Sequence, residues 1–128
     1  MIFSTGEMQM LRYINEARTD ANAAKATNIR YSKATSDTRC GLIGLMGELC
    51  LFKYADLPHT PMWDVTPRNI FTDTDSDAVI SGKKVDIKCT QKWGAPMWVQ
   101  ERKTRSPAEV YALAYCNPEQ RVCEIQGF

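Results

Sequence analysis

The chain has 128 residues, enough for one domain with a modest core and too few for two independent ones. Sixteen Lys and Arg against fifteen Asp and Glu leave a formal charge of +1, so no overall basic excess points to nucleic acid or to an anionic membrane. A composition of 44% hydrophobic and 24% charged residues excludes global disorder, and no apolar run approaches the roughly 18 residues of a membrane span.

Residues 5–27 carry helix formers without proline. Met10, Ile14, Ala17, Ala21 and Ala24 recur at spacings of four and three, the period of a helix–helix seam. The seam is expected to pack on the body of the same chain, the alternative being a second copy. Residues 28–36 read as a polar connector, after which Ser36 or Asp37 can cap a second helix reaching about Tyr54. Its centre, GLIGLMGELCLF from Gly41 to Phe52, is apolar on most sides and so is expected to be buried. Glu48 is the only charged side chain in that run. A carboxylate there must be paired, protonated or bound to a cation, because burying a bare charge is expensive. Gly41 and Gly44 lie on the same helix face as Glu48 and cost helix propensity, so they are expected to make room for a neighbour.

Residues 56–72, with Pro58, Pro61 and Pro67, read as a loop. The only histidine, His59, lies in it. That excludes a multi-histidine metal site, and the loop suggests no partner for a histidine-based triad. The five cysteines (Cys40, Cys50, Cys89, Cys116 and Cys123) lack C-x-x-C spacing. They read as free thiols in a reducing compartment. With no apolar stretch of leader length near Met1, a cytoplasmic location is expected.

From Asp77 the pattern changes to period two, and DAVISGKKVDIKCT reads as a β-hairpin turning at Gly82–Lys83. In that register Ser81 faces Lys84, Val79 faces Asp86 and Asp77 faces Lys88. Asp77, Asp86, Lys88 and Thr90 then share one face, while Ala78, Ile80, Val85, Ile87 and Cys89 form a wholly apolar one. Two close carboxylates need a cation, and oxygen ligands suit Mg²⁺ or Mn²⁺. Trp93 to Trp98 reads as a core anchor or as a loop offering aromatic wedges to opened DNA, and Trp98–Val99 as the start of a further strand. Glu109–Asn117 and Arg121–Gly127 are strand candidates joined by turn chemistry at Asn117–Gln120. The element order predicts an α+β or α/β fold, a mixed sheet with the N-terminal helices packed on it.

Glu48 on a helix, then Asp77, then Asp86-Ile87-Lys88 on a hairpin resembles the PD-(D/E)XK nuclease superfamily, nearest to small phage-type endonucleases and Holliday-junction-resolvase-like members. The resemblance covers residues 37–127 as a catalytic core and leaves residues 1–27 as an N-terminal helical arm of a single nuclease-like domain spanning 1–128. It implies a restriction-endonuclease-like core, with Asp77, Asp86, the Ile87 carbonyl and Glu48 as ligands of Mg²⁺ or Mn²⁺. It gives Lys88 the role of positioning or activating the attacking water, with Gln91 and Thr90 in support. Ser76 stands where the family often has proline, and Asp73 or Asp75 would replace Asp77 if the register slipped.

Lys83, Lys84, Lys92, Arg102, Lys103 and Arg105 follow the acidic stretch Asp64–Asp77 and are candidates for phosphate contacts. The expected function is therefore a metal-dependent DNA endonuclease, acting as a homodimer, selective for branched or junction DNA, with no organic cofactor and no membrane partner. The alternative is a non-catalytic nucleic-acid- or protein-binding module on the same scaffold.

Overall fold

The computed structural model of the protein describes residues 1–23, 37–65, 76–97, 99 and 108–128. Helix α1 spans Thr5–Ala23. A reciprocal capping box starts it: Ser4 Oγ accepts from Glu7 N at 3.1 Å, and Glu7 Oε2 accepts from Ser4 N at 2.7 Å. Its inner side carries Met8, Leu11, Ile14 and Asn15, all buried. Of the expected seam only Ile14 is fully buried; Met10, Ala17 and Ala21 are half-buried, and Ala24 lies outside the described residues. The stripe is displaced because Asn15 and Arg18 complete it. Each is polar but finds partners on other elements, which a count of apolar residues does not register.

Helix α2 spans Asp37–Tyr54 and crosses the sheet as expected; the capping side chains of Ser36 and Asp37 lie outside the described residues. Both neighbours of α2 approach it through glycine. A Cβ at Gly41 would collide with Asn15 Oδ1 of α1, whose Nδ2 donates to the Thr38 carbonyl at 2.8 Å. A Cβ at Gly47 would collide with Cys89 Sγ of the sheet, whereas one at Gly44 meets nothing within 4 Å. Room is thus made at Gly41 and Gly47, not at Gly44. Opposite signs are expected on substitution. Gly44→Ala should stabilise by up to about 1 kcal/mol through helix propensity. Gly47→Ala should destabilise by about 1–2 kcal/mol, because the overpacking against Cys89 exceeds that gain. Urea unfolding of both variants decides it, and shifts of the same sign would contradict this packing.

Four strands form one sheet in the order β1 (Ala78–Ile80), β2 (Lys83–Thr90), β3 (Val110–Asn117), β4 (Val122–Gly127). The pairs β1/β2 and β3/β4 are antiparallel and β2/β3 is parallel, so the sheet is mixed and the fold is α+β. One core cluster joins Phe3, Leu11 and Ile14 to Met46 and Leu49 of α2 and to Val85, Ile87, Ala112 and Ala114 of the sheet. Helix α1 therefore packs into the same core, on the body of its own chain. Val99 is outside any strand, and Trp98 lies outside the described residues. No helix among the described residues is long and apolar enough to cross a membrane.

The hairpin register differs from the expected one by two. Ile80 pairs with Lys83, Val79 with Lys84 and Ala78 with Val85. The turn residues are Ser81 and Gly82, with φ of 50° and 76°. Two positive φ angles define a type I′ turn, whose twist suits a hairpin. A slip of two leaves every side chain on its face, so Val85 and Ile87 still point to the core. It also moves Asp77 from opposite Lys88 to beside Asp86.

The cysteines are free. Cys50, Cys116 and Cys123 are buried between α2 and the sheet, and Cys116 Sγ lies 2.9 Å from Cys123 Sγ. Hydrogen bonding to Cys123 and Cys89, then burial, pushes the Cys116 thiol far above its usual range, as befits an inert core thiol. His59 stacks on Phe52, with ring centroids 6.4 Å apart.

Candidate metal centre

Strand β2 supplies the centre of the site. Its apolar alternation fixes Ile87 against α2, which turns Asp86 and Lys88 to the opposite face. Asp86 is only 4% exposed, and Lys88 Nζ is ion-paired to its Oδ2. The Lys88 ammonium also lies 5.9 Å above the centroid of Tyr111, the residue of β3 that pairs with Asp86, so the lysine is held on both sides. Asp77 enters immediately before β1, and its Oδ2 accepts from the Ile87 amide at 2.7 Å. That bond ties the first acid to the strand bearing the second.

Glu48 reaches the site from α2. Its carboxylate meets Arg18 Nη1 of α1 at 3.4 and 3.5 Å. Arg18 Nη2 donates to the Met62 carbonyl at 2.9 Å and Nε to the Asp64 carbonyl at 3.1 Å. One guanidinium thus fastens α1, the Glu48 carboxylate and the short 3₁₀ helix at Thr60–Trp63. Sequence reading did not single out Arg18. The available signal was its place four positions beyond Ile14 and seven beyond Leu11, on the buried side of α1.

Electrostatics bind Asp77, Glu48 and Asp86 into one unit. Burial first, then the Glu48 and Asp86 charges, push the Asp77 carboxyl up to about 8, against the lowering effect of the Ile87 amide. Without metal, the folded protein therefore holds a proton on Asp77 that the unfolded chain releases near pH ~4. The contribution of this group to stability is fully present below that pH and is lost as pH rises through about 8. A cation bound here must displace that proton. The thermal shift on adding millimolar Mn²⁺ is expected to be larger at pH 9 than at pH 6, and Asp77→Asn should flatten the difference. An equal shift at both pH values would sink the assignment.

The donor types suit a hard, oxygen-binding cation: Asp86 and Glu48 each act on Asp77, and a divalent ion would offset that repulsion. Two of the acids are paired with Lys88 and Arg18. Among the described residues no group of three or more His, Cys, Asp or Glu side chains is already arranged around a single cation position.

Thr90 Oγ1 accepts from Lys92 N at 3.1 Å and donates to the Lys92 carbonyl at 3.2 Å, closing the turn after β2. Gln91 Oε1 accepts from Arg39 Nε at 2.6 Å, and Arg39 is ion-paired with Glu119. Lys83, Lys84 and Lys92 are exposed, and Lys83 Nζ lies 3.3 Å from Glu109 Oε2. Asp73, Asp75, Arg102, Lys103 and Arg105 lie outside the described residues.

A protein-family model described as a family of unknown function matches residues 4–122, which takes in α1, α2 and strands β1 to β3 and stops at the first residue of β4. No curated protein and no solved structure matches the chain.

Proposed function

For a chain that belongs to that family, DUF5843, we propose a metal-dependent endonuclease that hydrolyses DNA phosphodiesters, with branched or junction DNA as its substrate class. The observation that carries the reading is the joining of Asp77 to Asp86 across β1 and β2, with Glu48 close enough to raise Asp77 and Lys88 seated on Asp86. The order of acid-bearing helix, hairpin and parallel crossover to β3 supports a likeness to the restriction-endonuclease-like core. Asp77, Asp86 and Glu48 would hold Mg²⁺ or Mn²⁺ with help from the Ile87 carbonyl. When bound, the ion would lower the pKa of water and neutralise charge on the phosphoryl oxygens. Lys88 would orient the attacking water, and the ion's charge would steady the oxygen that leaves on the opposite side of the phosphorus. Lys84 and Lys92, exposed near opposite ends of β2, are placed to meet phosphates. Two copies would cut two strands.

A second reading is favoured by the pairing of Glu48 with Arg18 and Asp86 with Lys88: a binding module whose acids serve structural ion pairs. One experiment separates them. Supercoiled plasmid and a labelled four-way junction are incubated with the protein in Mg²⁺, Mn²⁺ or EDTA, beside Asp86→Asn. Metal-dependent cutting lost in the variant supports the nuclease; no cutting in either metal transfers the weight to the binding module.

A further inference from the structure

The loop after β2 holds a large aromatic side chain rigidly in water. Trp93 is 62% exposed. The backbone beneath it is fixed from both sides by the Thr90 hydroxyl on Lys92 and by the Ala95 amide donating to the Lys92 carbonyl at 3.2 Å. Gly94, with φ of 72°, completes the turn. The Trp93 ring meets Tyr115 edge-on, with centroids 5.3 Å apart and planes at 74°. An exposed indole held in one orientation by a locked turn and an aromatic brace is pre-organised for a planar ligand.

Its position says which one. Tyr115 pairs with Thr90, Leu113 with Lys88 and Tyr111 with Asp86. Tyr111 and Tyr115 thus run along β3 beside the acid and the lysine, on the same sheet face. Lys88 lies two residues from Thr90, about 7 Å along the strand. Lys92, next to Trp93, is exposed and cationic. A flat apolar plate beside a cation, a short reach from a phosphodiester-cleaving centre, matches a nucleobase and its backbone.

We propose that Trp93, braced by Tyr115, is a stacking platform for an unpaired base of the DNA strand that is cut at Asp86 and Lys88. The substrate class is then DNA with unpaired bases: single strands, flaps and opened junctions rather than uniform duplex, in which every base is stacked on its neighbours. The proposal rests on the nuclease reading of this face.

The test is binding without cutting. Full-length protein in EDTA at low salt is titrated into a labelled single strand of about 20 nucleotides, longer than the roughly 4–16 nucleotides of comparable stacking sites. The blunt duplex of the same sequence runs beside it, and anisotropy is read. Trp93→Ala is expected to weaken single-strand binding about 10-fold or more, the typical loss of one stacked base. Duplex binding should change less than about 2-fold, because phosphate contacts remain. Trp93→Phe should recover most of the loss. Unchanged single-strand binding in Trp93→Ala overturns the platform, and so does an equal loss on duplex. Plasmid cutting keeps the two ideas apart. Cutting with no Trp93 effect on single strands leaves the nuclease and removes the platform; Trp93-dependent single-strand binding without cutting keeps the platform and removes only the nuclease.

Discussion

Asp86→Asn is expected to reduce metal-dependent plasmid cutting by about 10³-fold or more, the scale of losing a group that stabilises transition-state charge. Asparagine is isosteric, so the buried position should stay filled and the fold intact. It carries no charge, so it neither attracts a divalent ion well nor pairs with the Lys88 ammonium. Lys88→Ala should lose about 10²–10⁴-fold, the range for a positioned proton-transfer or charge-stabilising group. Lys88→Arg should not restore it. The guanidinium is broad, permanently charged and forked, where the site holds a compact ammonium between Asp86 and the face of Tyr111. Circular dichroism and urea unfolding of each variant show that the loss is chemical. Cutting that survives both Asp86→Asn and Lys88→Ala would place the activity elsewhere.

Arg18→Ala is expected to destabilise the protein by about 2–3 kcal/mol, below the 3–5 of a fully buried pair because both side chains keep some contact with water. Three losses add up. Glu48 loses its counter-ion, the Met62 carbonyl loses its donor, and so does that of Asp64. Arg18→Lys should recover the charge but not all the hydrogen bonds, because one ammonium cannot serve such divergent acceptors as a fork does. Millimolar Mn²⁺ should return part of the stability lost in Arg18→Ala, since a cation on Glu48 replaces the missing one. Thermal unfolding with and without the metal is the measurement. A change under about 0.5 kcal/mol, the usual size of a surface substitution, would show Arg18 to be decorative.

The sheet faces were legible in the sequence because period two is robust. Asp77, Asp86 and Lys88 kept their side even though the pairing is shifted by two residues from the one that a turn at Gly82–Lys83 predicts. The register itself was hidden by Ser81, which takes a left-handed conformation that side chains seldom adopt, so the Gly-X rule picked the wrong pair. Strands β3 and β4 were readable from their alternation and from the turn, where Asn117 Oδ1 accepts from Gln120 N at 3.0 Å. That β2 and β3 run parallel was not, since it depends on a connection rather than on either strand. Glu48 stood out as a stranded acid, but its partner did not. Arg18 comes from a helix 30 positions earlier, and nothing local in either segment announces the pair. The glycines were noticed for cost, yet which of them face a neighbour is a property of the packed helix alone.

The parallel pairing of β2 with β3 has a kinetic side. The β1–β2 turn can close within microseconds, since its partners are close along the chain. Val85 and Val110, by contrast, are 25 positions apart, and their strand pair forms only after the entropy of that loop has been overcome. Asp77 and Asp86 are therefore expected to come together early, in a hydrated hairpin. Tyr111, the aromatic floor under Lys88, is expected later with β3, so a folding chain should join its acids before it builds the surroundings that set their chemistry.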